Sequence, residues 1–267
     1  MSYPNFEGKH LHEALIDPVA HAAYMRLHGL LPVAEPVPQA FIITYQRKLF
    51  DRAVQLFNGT KALSAGEVHQ SRTAVSLVLD SGQAPVGVAG NFGFGAPVTT
   101  IVMESLIALG ARRVLSIGTA GALQPGLQAG DVVVCDRAIR DEGVSHHYAP
   151  PAKYAQASAE LTSQLETALD GAGLAHRRGT SWTIDTPYRE TAEEARHYRA
   201  EGVLTVEMEA AAIFAVGELR GAAVASAFVV SDLLSESSWE PSFHSPLVDD
   251  RLGALLEAAV DLLSSAP

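Results

Sequence analysis

Short apolar runs alternate along this chain with longer stretches of helical periodicity. The runs AFIIT (40–44), VSLVLD (75–80), VGVAG (86–90), RVLSIG (113–118), DVVVCD (131–136) and AAVASAFVVSD (222–232) are bounded by Gly, Asp or Pro. Such runs predict strands buried on both faces. In PVTTIVMESLIALG, Val98, Ile101, Val102, Ser105, Leu106 and Leu109 recur at i, i+3, i+4, with Pro97 in the first turn and Gly110 at the stop. That spacing predicts a helix packed on a sheet. Similar stripes occur at Leu161, Leu165 and Leu169 before Gly171, at 207–219 before Gly221, and at Leu252, Leu255, Leu256 and Leu263. The prolines of LPVAEPVP divide the chain into a short N-terminal helix at 17–28 with an extended arm, together 1–40, and one domain over 41–267. Strand and helix alternating throughout predict an α/β fold around a mostly parallel or mixed sheet.

Composition narrows the function classes. At 48% hydrophobic and 18% charged residues the chain supports a large core. Its formal charge of −11 argues against nucleic acid as a partner, because a phosphate backbone is bound by clustered Lys and Arg. A single cysteine, Cys135, excludes intramolecular disulfides and a Cys-rich zinc site. The opening MSYPNFEGKHLHEALIDP has no apolar core of a leader, and no run is long enough to span a membrane. These features predict a cytoplasmic protein without a membrane partner.

Three segments carry candidate chemistry. Two glycine-bearing turns, GNFGFGAP (90–97) and SIGTAGAL (116–123), each follow an apolar strand. There the backbone can approach a ligand and aim N–H groups at an anion, although tight turns without any ligand have the same composition. In VEMEAAAIFAVGELRG, Glu207 and Glu209 flank Met208 in what periodicity makes the first turn of a very apolar helix. Acids there suit the helix dipole, but a helix apolar nearly all round places them deep, where an acid must be paired or ligand-bound. The two hydroxyls of a ribose are suitable partners for one carboxylate. Asp232 ends the run AFVVSD, as a helix cap or as an acid that protonates a departing base. His146 and His147 fit no zinc spacing, so a metal is not expected there.

Taken in order, FGFGAP, VLSIGTAGAL, GLQAGDVVVCDRAIRDEGVSHHYAP, GTSWTIDTPYRE, VEMEAAAIFAVGELRG and VVSD resemble the nucleoside phosphorylase superfamily, in particular its uridine phosphorylase and hexameric purine nucleoside phosphorylase branch. The resemblance implies a single catalytic domain of three layers, a central mixed β-sheet flanked by helices. It also implies phosphorolysis of a nucleoside, with inorganic phosphate as co-substrate, by a homo-oligomer, a hexamer or a dimer. Glycosyl transfer driven by positioning and electrostatics needs no metal or organic cofactor. Residue by residue it places Thr119 on phosphate and ribose, Met208 and Glu209 on the sugar with Glu207 in support, and Asp232 as the acid that purine-specific members use at N7. Arg47 falls where the family holds phosphate with an arginine, although the usual preceding glycine and proline are missing. Ser116 stands where many members carry a second phosphate-binding arginine. Another arginine, Arg47, Arg112 or one from a neighbouring subunit, then compensates, or water replaces phosphate and the enzyme is a nucleosidase. Gly121, Trp182, Tyr188 and Arg189 are expected beside the base. Asp232 tilts the substrate toward purines, yet no arginine follows it within ten residues, and uridine phosphorolysis stays open. A non-catalytic nucleoside-binding protein is the alternative from a different class. His10 or His12 is the candidate for a residue entering a neighbour's site.

Overall fold

The computed structural model describes residues 3–28, 37–56, 60–64, 75–79, 84–234 and 238–265. Asp80 of the second apolar run and most of the extended arm lie outside them. Within the described residues eleven strands form one mixed sheet, closed on one side and open on the other. The closed part turns on β10 (Ala223–Leu234). Along one edge β10 runs parallel to β5 (Arg113–Ala122), and along the other antiparallel to β6 (Val132–Asp141). The pairing continues from β6 to β8 (His176–Ile184), from β8 to β9 (Thr205–Glu207), and from β9 back to β5. This five-strand ring leaves β10 and β5 no open edge, which removes a site of wrong pairing. Outward from β5 the sheet opens through β1 (Ala40–Thr44), β4 (Val86–Gly90), β3 (Val75–Leu79) and β2 (Thr60–Ser64). Two short strands complete it: β7 (Tyr154–Gln156) on β6, and β11 (Trp239–Pro241) on β10.

Helices cover both faces. On one side α2 (Arg47–Leu56), α5 (Ala159–Gly171) and α8 (Pro246–Ser264) bury Phe50, Leu161, Leu165, Leu252 and Leu256 against Leu115 and Ile117 of β5. On the other, α3 (Ala96–Leu109) and α7 (Ala210–Arg220) pack Met103, Leu106, Ile213 and Phe214 against Phe41, Val114 and Phe228. Each fully buried Leu, Ile or Phe contributes on the order of 1.5–3 kcal/mol. All positions from Ala210 to Gly217 are buried. The run of alanines lets α7 lie close to its neighbours, and Gly221 ends the helix in the left-handed region at φ 67°. The N-terminal helix is α1 (Pro18–Leu27), started by Asp17, whose carboxylate accepts the Ala20 N–H. Short helices α4 (Ser145–Tyr148) and α6 (Ala192–Ala200) complete the set.

Candidate active site

Strands β1, β4, β5, β9 and β10 bring their C-terminal ends to one region, and the candidate acids stand there. Glu207 is the last residue of β9 and Glu209 the N-cap of α7, so neither lies in the first helical turn that periodicity indicates. The reason is local. Glu207 Oε2 accepts the backbone N–H of Glu209 at 2.8 Å and of Ala210 at 2.7 Å, while Oε1 accepts the Thr183 hydroxyl at 2.5 Å. A carboxylate that satisfies two helix-start donors does the work of a cap from outside the helix. Glu207 is therefore a support, and Thr183, which sequence reasoning missed, is part of it.

Glu209 is buried and its Oε1 accepts the N–H of Gly95. Gly95 has φ 105° and ψ 153°, a conformation essentially reserved for glycine, and the preceding loop contains Asn91 and Gly93 at positive φ as well. The strained turn after β4 thus aims a donor at the acid of α7, tying two of the three candidate segments together. Burial first, and the negative charge of Glu207 second, push the Glu209 carboxyl up to about 8. The Gly95 N–H acts in the opposite direction. An acid at that value gives up its proton readily once hydroxyl donors reach it.

Beside this acid the ends of β1 and β5 bring together a cluster of polar side chains. The Tyr45 hydroxyl shares a 2.9 Å hydrogen bond with the Ser116 hydroxyl, and Gln46 Nε2 donates to Thr119 Oγ1 at 3.1 Å. Burial, then the charge of Glu209, holds the Tyr45 phenol well above its ordinary range, so it stays a neutral donor. Gln46 Oε1 and the Thr44 hydroxyl are buried without a protein partner; such groups call for water or a ligand. Tyr45 and Gln46 directly follow β1, and their place at a strand end was the only signal for them.

The structure does not bring Arg47 into this cluster. It starts α2 with its side chain 80% exposed and directed at Asp51, one turn on, at 3.7 Å. Arg112 is also elsewhere: it precedes the N-terminal end of β5 and its guanidinium donates to Ile107 and Ala111 carbonyls.

On the other side of β5, a bulge in β10 between Val230 and Asp232 sets Asp232 opposite Gly121. A Cβ at Gly121 would sit 3.0 Å from Asp232 Oδ2 and 2.4 Å from Leu234, so a side chain there would displace Leu234 and crowd the acid. Asp232 is buried; Oδ1 accepts from Ser231 Oγ and Oδ2 from Trp239 Nε1, both at 2.8 Å. Glu190 faces the same acid, and burial, Asp232 and then Glu194 raise it to about 7. Met208 lies half-buried between the two glutamates. Two expected base neighbours are displaced. Trp182 is fully buried in β8, gives its indole N–H to Asp141 at 2.9 Å and packs on Tyr198, so its ring belongs to the core. Tyr188 follows in a short 3-10 turn and is 98% exposed. Arg189 lines an open cavity of about 440 Å³ with Asp141, Thr186 and Glu194. His10 and His12 are half-buried and exposed in the N-terminal segment.

A sequence profile of the phosphorylase superfamily matches residues 53–261. The chain belongs to that superfamily. Among similar proteins, the uridine phosphorylase of Treponema pallidum is 34% identical over 149 residues, covering 52% of this chain and 57% of its own. The uridine phosphorylase of Escherichia coli is 35% identical over 143 residues, 48% and 56% of the two chains. A guanosine phosphorylase of Halorubrum lacusprofundi is 31% identical over 129 residues, 48% and 54%. The matched stretches span about half the length of these relatives. The crystal structure of uridine phosphorylase from Vibrio fischeri superposes with a TM-score of 0.70 at 25% identity, covering 86% of this phosphorylase-superfamily chain and 92% of that one.

Proposed function

We propose that this protein cleaves the N-glycosidic bond of a nucleoside, with inorganic phosphate as the nucleophile, and that its substrate is a purine nucleoside. The observation that carries the reading is the buried Glu209 held by Gly95 in one pocket wall, with Asp232 set against Gly121 on the same strand that presents Thr119. Glu209 grips the ribose hydroxyls and Asp232 faces the base. The nucleophile enters beside Thr119, where Gln46 and Thr44 keep unpartnered polar atoms. As the bond from C1′ to the base breaks, its electron pair goes to the base and a proton from Asp232 neutralises it, while a phosphate oxygen closes on C1′. Positioning and fixed dipoles supply most of the acceleration. The similar proteins named above act on uridine or guanosine; the acid at Asp232 favours a purine. A homo-oligomer is supported by the apolar N-terminal face, where Leu11, Leu15, Ile16, Val19 and Leu27 are exposed.

One observation favours water instead of phosphate. Ser116 occupies an arginine's place and spends its hydroxyl on Tyr45, so among the described residues this wall offers neutral donors and no guanidinium. The test is incubation with inosine, guanosine and uridine, with and without inorganic phosphate, following free base by absorbance and pentose 1-phosphate by phosphorus NMR. Base and pentose 1-phosphate formed only with phosphate support phosphorolysis. Equal base release without phosphate supports hydrolysis, and no release from any nucleoside rejects both.

A further inference from the structure

Asp232 needs a partner that fixes the direction of its carboxylate, and no Arg or Lys occurs in the ten residues after it. The partner comes from the hairpin that follows. β11 returns antiparallel to β10, pairing Leu234 with Trp239, Leu233 with Glu240 and Asp232 with Pro241. That register carries the indole back over the acid, and Trp239 Nε1 donates to Asp232 Oδ2 at 2.8 Å. The same oxygen faces Gly121, and the other oxygen is held by Ser231. The Trp239 ring is 59% exposed, tilted against the exposed Phe243 with centroids 5.8 Å apart. A large aromatic that stays in solvent while its one polar atom is committed to a buried carboxylate gains little as core packing. Its polar end is the part the fold uses.

We propose that Trp239 is a positioning residue for the reaction: its indole N–H fixes Asp232 for proton delivery to the departing base, filling with a neutral donor the role of a cation. This rests on the activity proposed above. An indole N–H orients the carboxylate without adding positive charge beside it.

The consequence is selective. Losing the N–H harms a substrate whose base must be protonated as it leaves, and spares one whose base already carries the positive charge. Trp239→Phe keeps the ring and removes only the donor. With inosine the expected result is a fall in kcat of about tenfold, the size of one hydrogen bond to a charged group, with KM changed little. With 7-methylguanosine, already cationic on its imidazole ring, the loss is expected to stay within about twofold by the same reasoning. Trp182, buried on another acid, gives an internal fluorescence check that the variant is folded.

Equal losses on both substrates, or a loss for inosine that appears in KM and not in kcat, would overturn the positioning role while leaving the proposed activity in place. A wild-type enzyme inert toward both nucleosides would overturn the activity and this role with it.

Discussion

Nucleoside binding should release a proton, and Glu209 should be its source. In the free protein burial and then Glu207 push this carboxyl up to about 8, so at pH 7 most molecules carry it protonated and only a minority carry it ionised. Ribose hydroxyls donate to the ionised form, so the competent population limits affinity by that fraction. Raising the pH from 7 to 9 should then tighten binding about tenfold, or about 1.4 kcal/mol. The assay is calorimetric titration with a C-nucleoside, whose carbon–carbon link to the base is not cleaved, in two buffers of different ionisation enthalpy. Close to one proton should leave per molecule bound at pH 7. Glu209→Gln should bind more weakly, without that component of the pH dependence. Glu190, near 7, titrates in the same window, which makes the Gln variant the necessary control. Stability moves the opposite way. A carboxyl whose folded value lies above its unfolded one stabilises the fold at low pH, and that contribution is lost as pH rises from about 4.5 toward 8. Wild-type Tm should therefore fall more steeply between pH 6 and 8.5 than the Tm of Glu209→Gln. Wild-type affinity flat across this range, or the same slope in the Gln variant, would refute the reasoning.

Two further substitutions separate the site's walls. Gly95→Ala places a side chain on a backbone at φ 105°, which should cost about 1–3 kcal/mol and raise KM by turning its N–H away from Glu209; thermal melts and steady-state kinetics measure both. Arg47→Ala should change the KM for phosphate by less than about twofold, because its guanidinium is solvated beside Asp51; a tenfold rise would return Arg47 to the anion site.

The strands and helices that read clearly are those whose burial follows a period. α3 fell out of its stripe between Pro97 and Gly110, and β1 and β4, buried at every described position, read as continuous apolar runs. β8 did not, because its first half, His176–Gly179, is polar and only Thr180–Ile184 is buried. β9 and β11 have three residues each, too few for any period, and the ring closed by β10 is a property of long-range pairing. The same division runs through the site. Gly95, Thr119, Glu207, Glu209 and Asp232 all occur in motifs whose chemistry is local. Tyr45, Thr183 and Trp239 are brought in by register across the sheet. Trp182 shows the converse: motif order set it near the base, but its position on β8 turns the ring into the core. Arg47 fails for a similar reason, since the first turn of α2 faces solvent there.

The most direct test compares release of free base from inosine by wild type, Glu209→Gln and Asp232→Asn under saturating phosphate. Wild type should release hypoxanthine, and each variant should lose on the order of a hundredfold or more in kcat/KM. Variants that turn over at the wild-type rate would contradict a sugar grip at α7 and a base acid on β10.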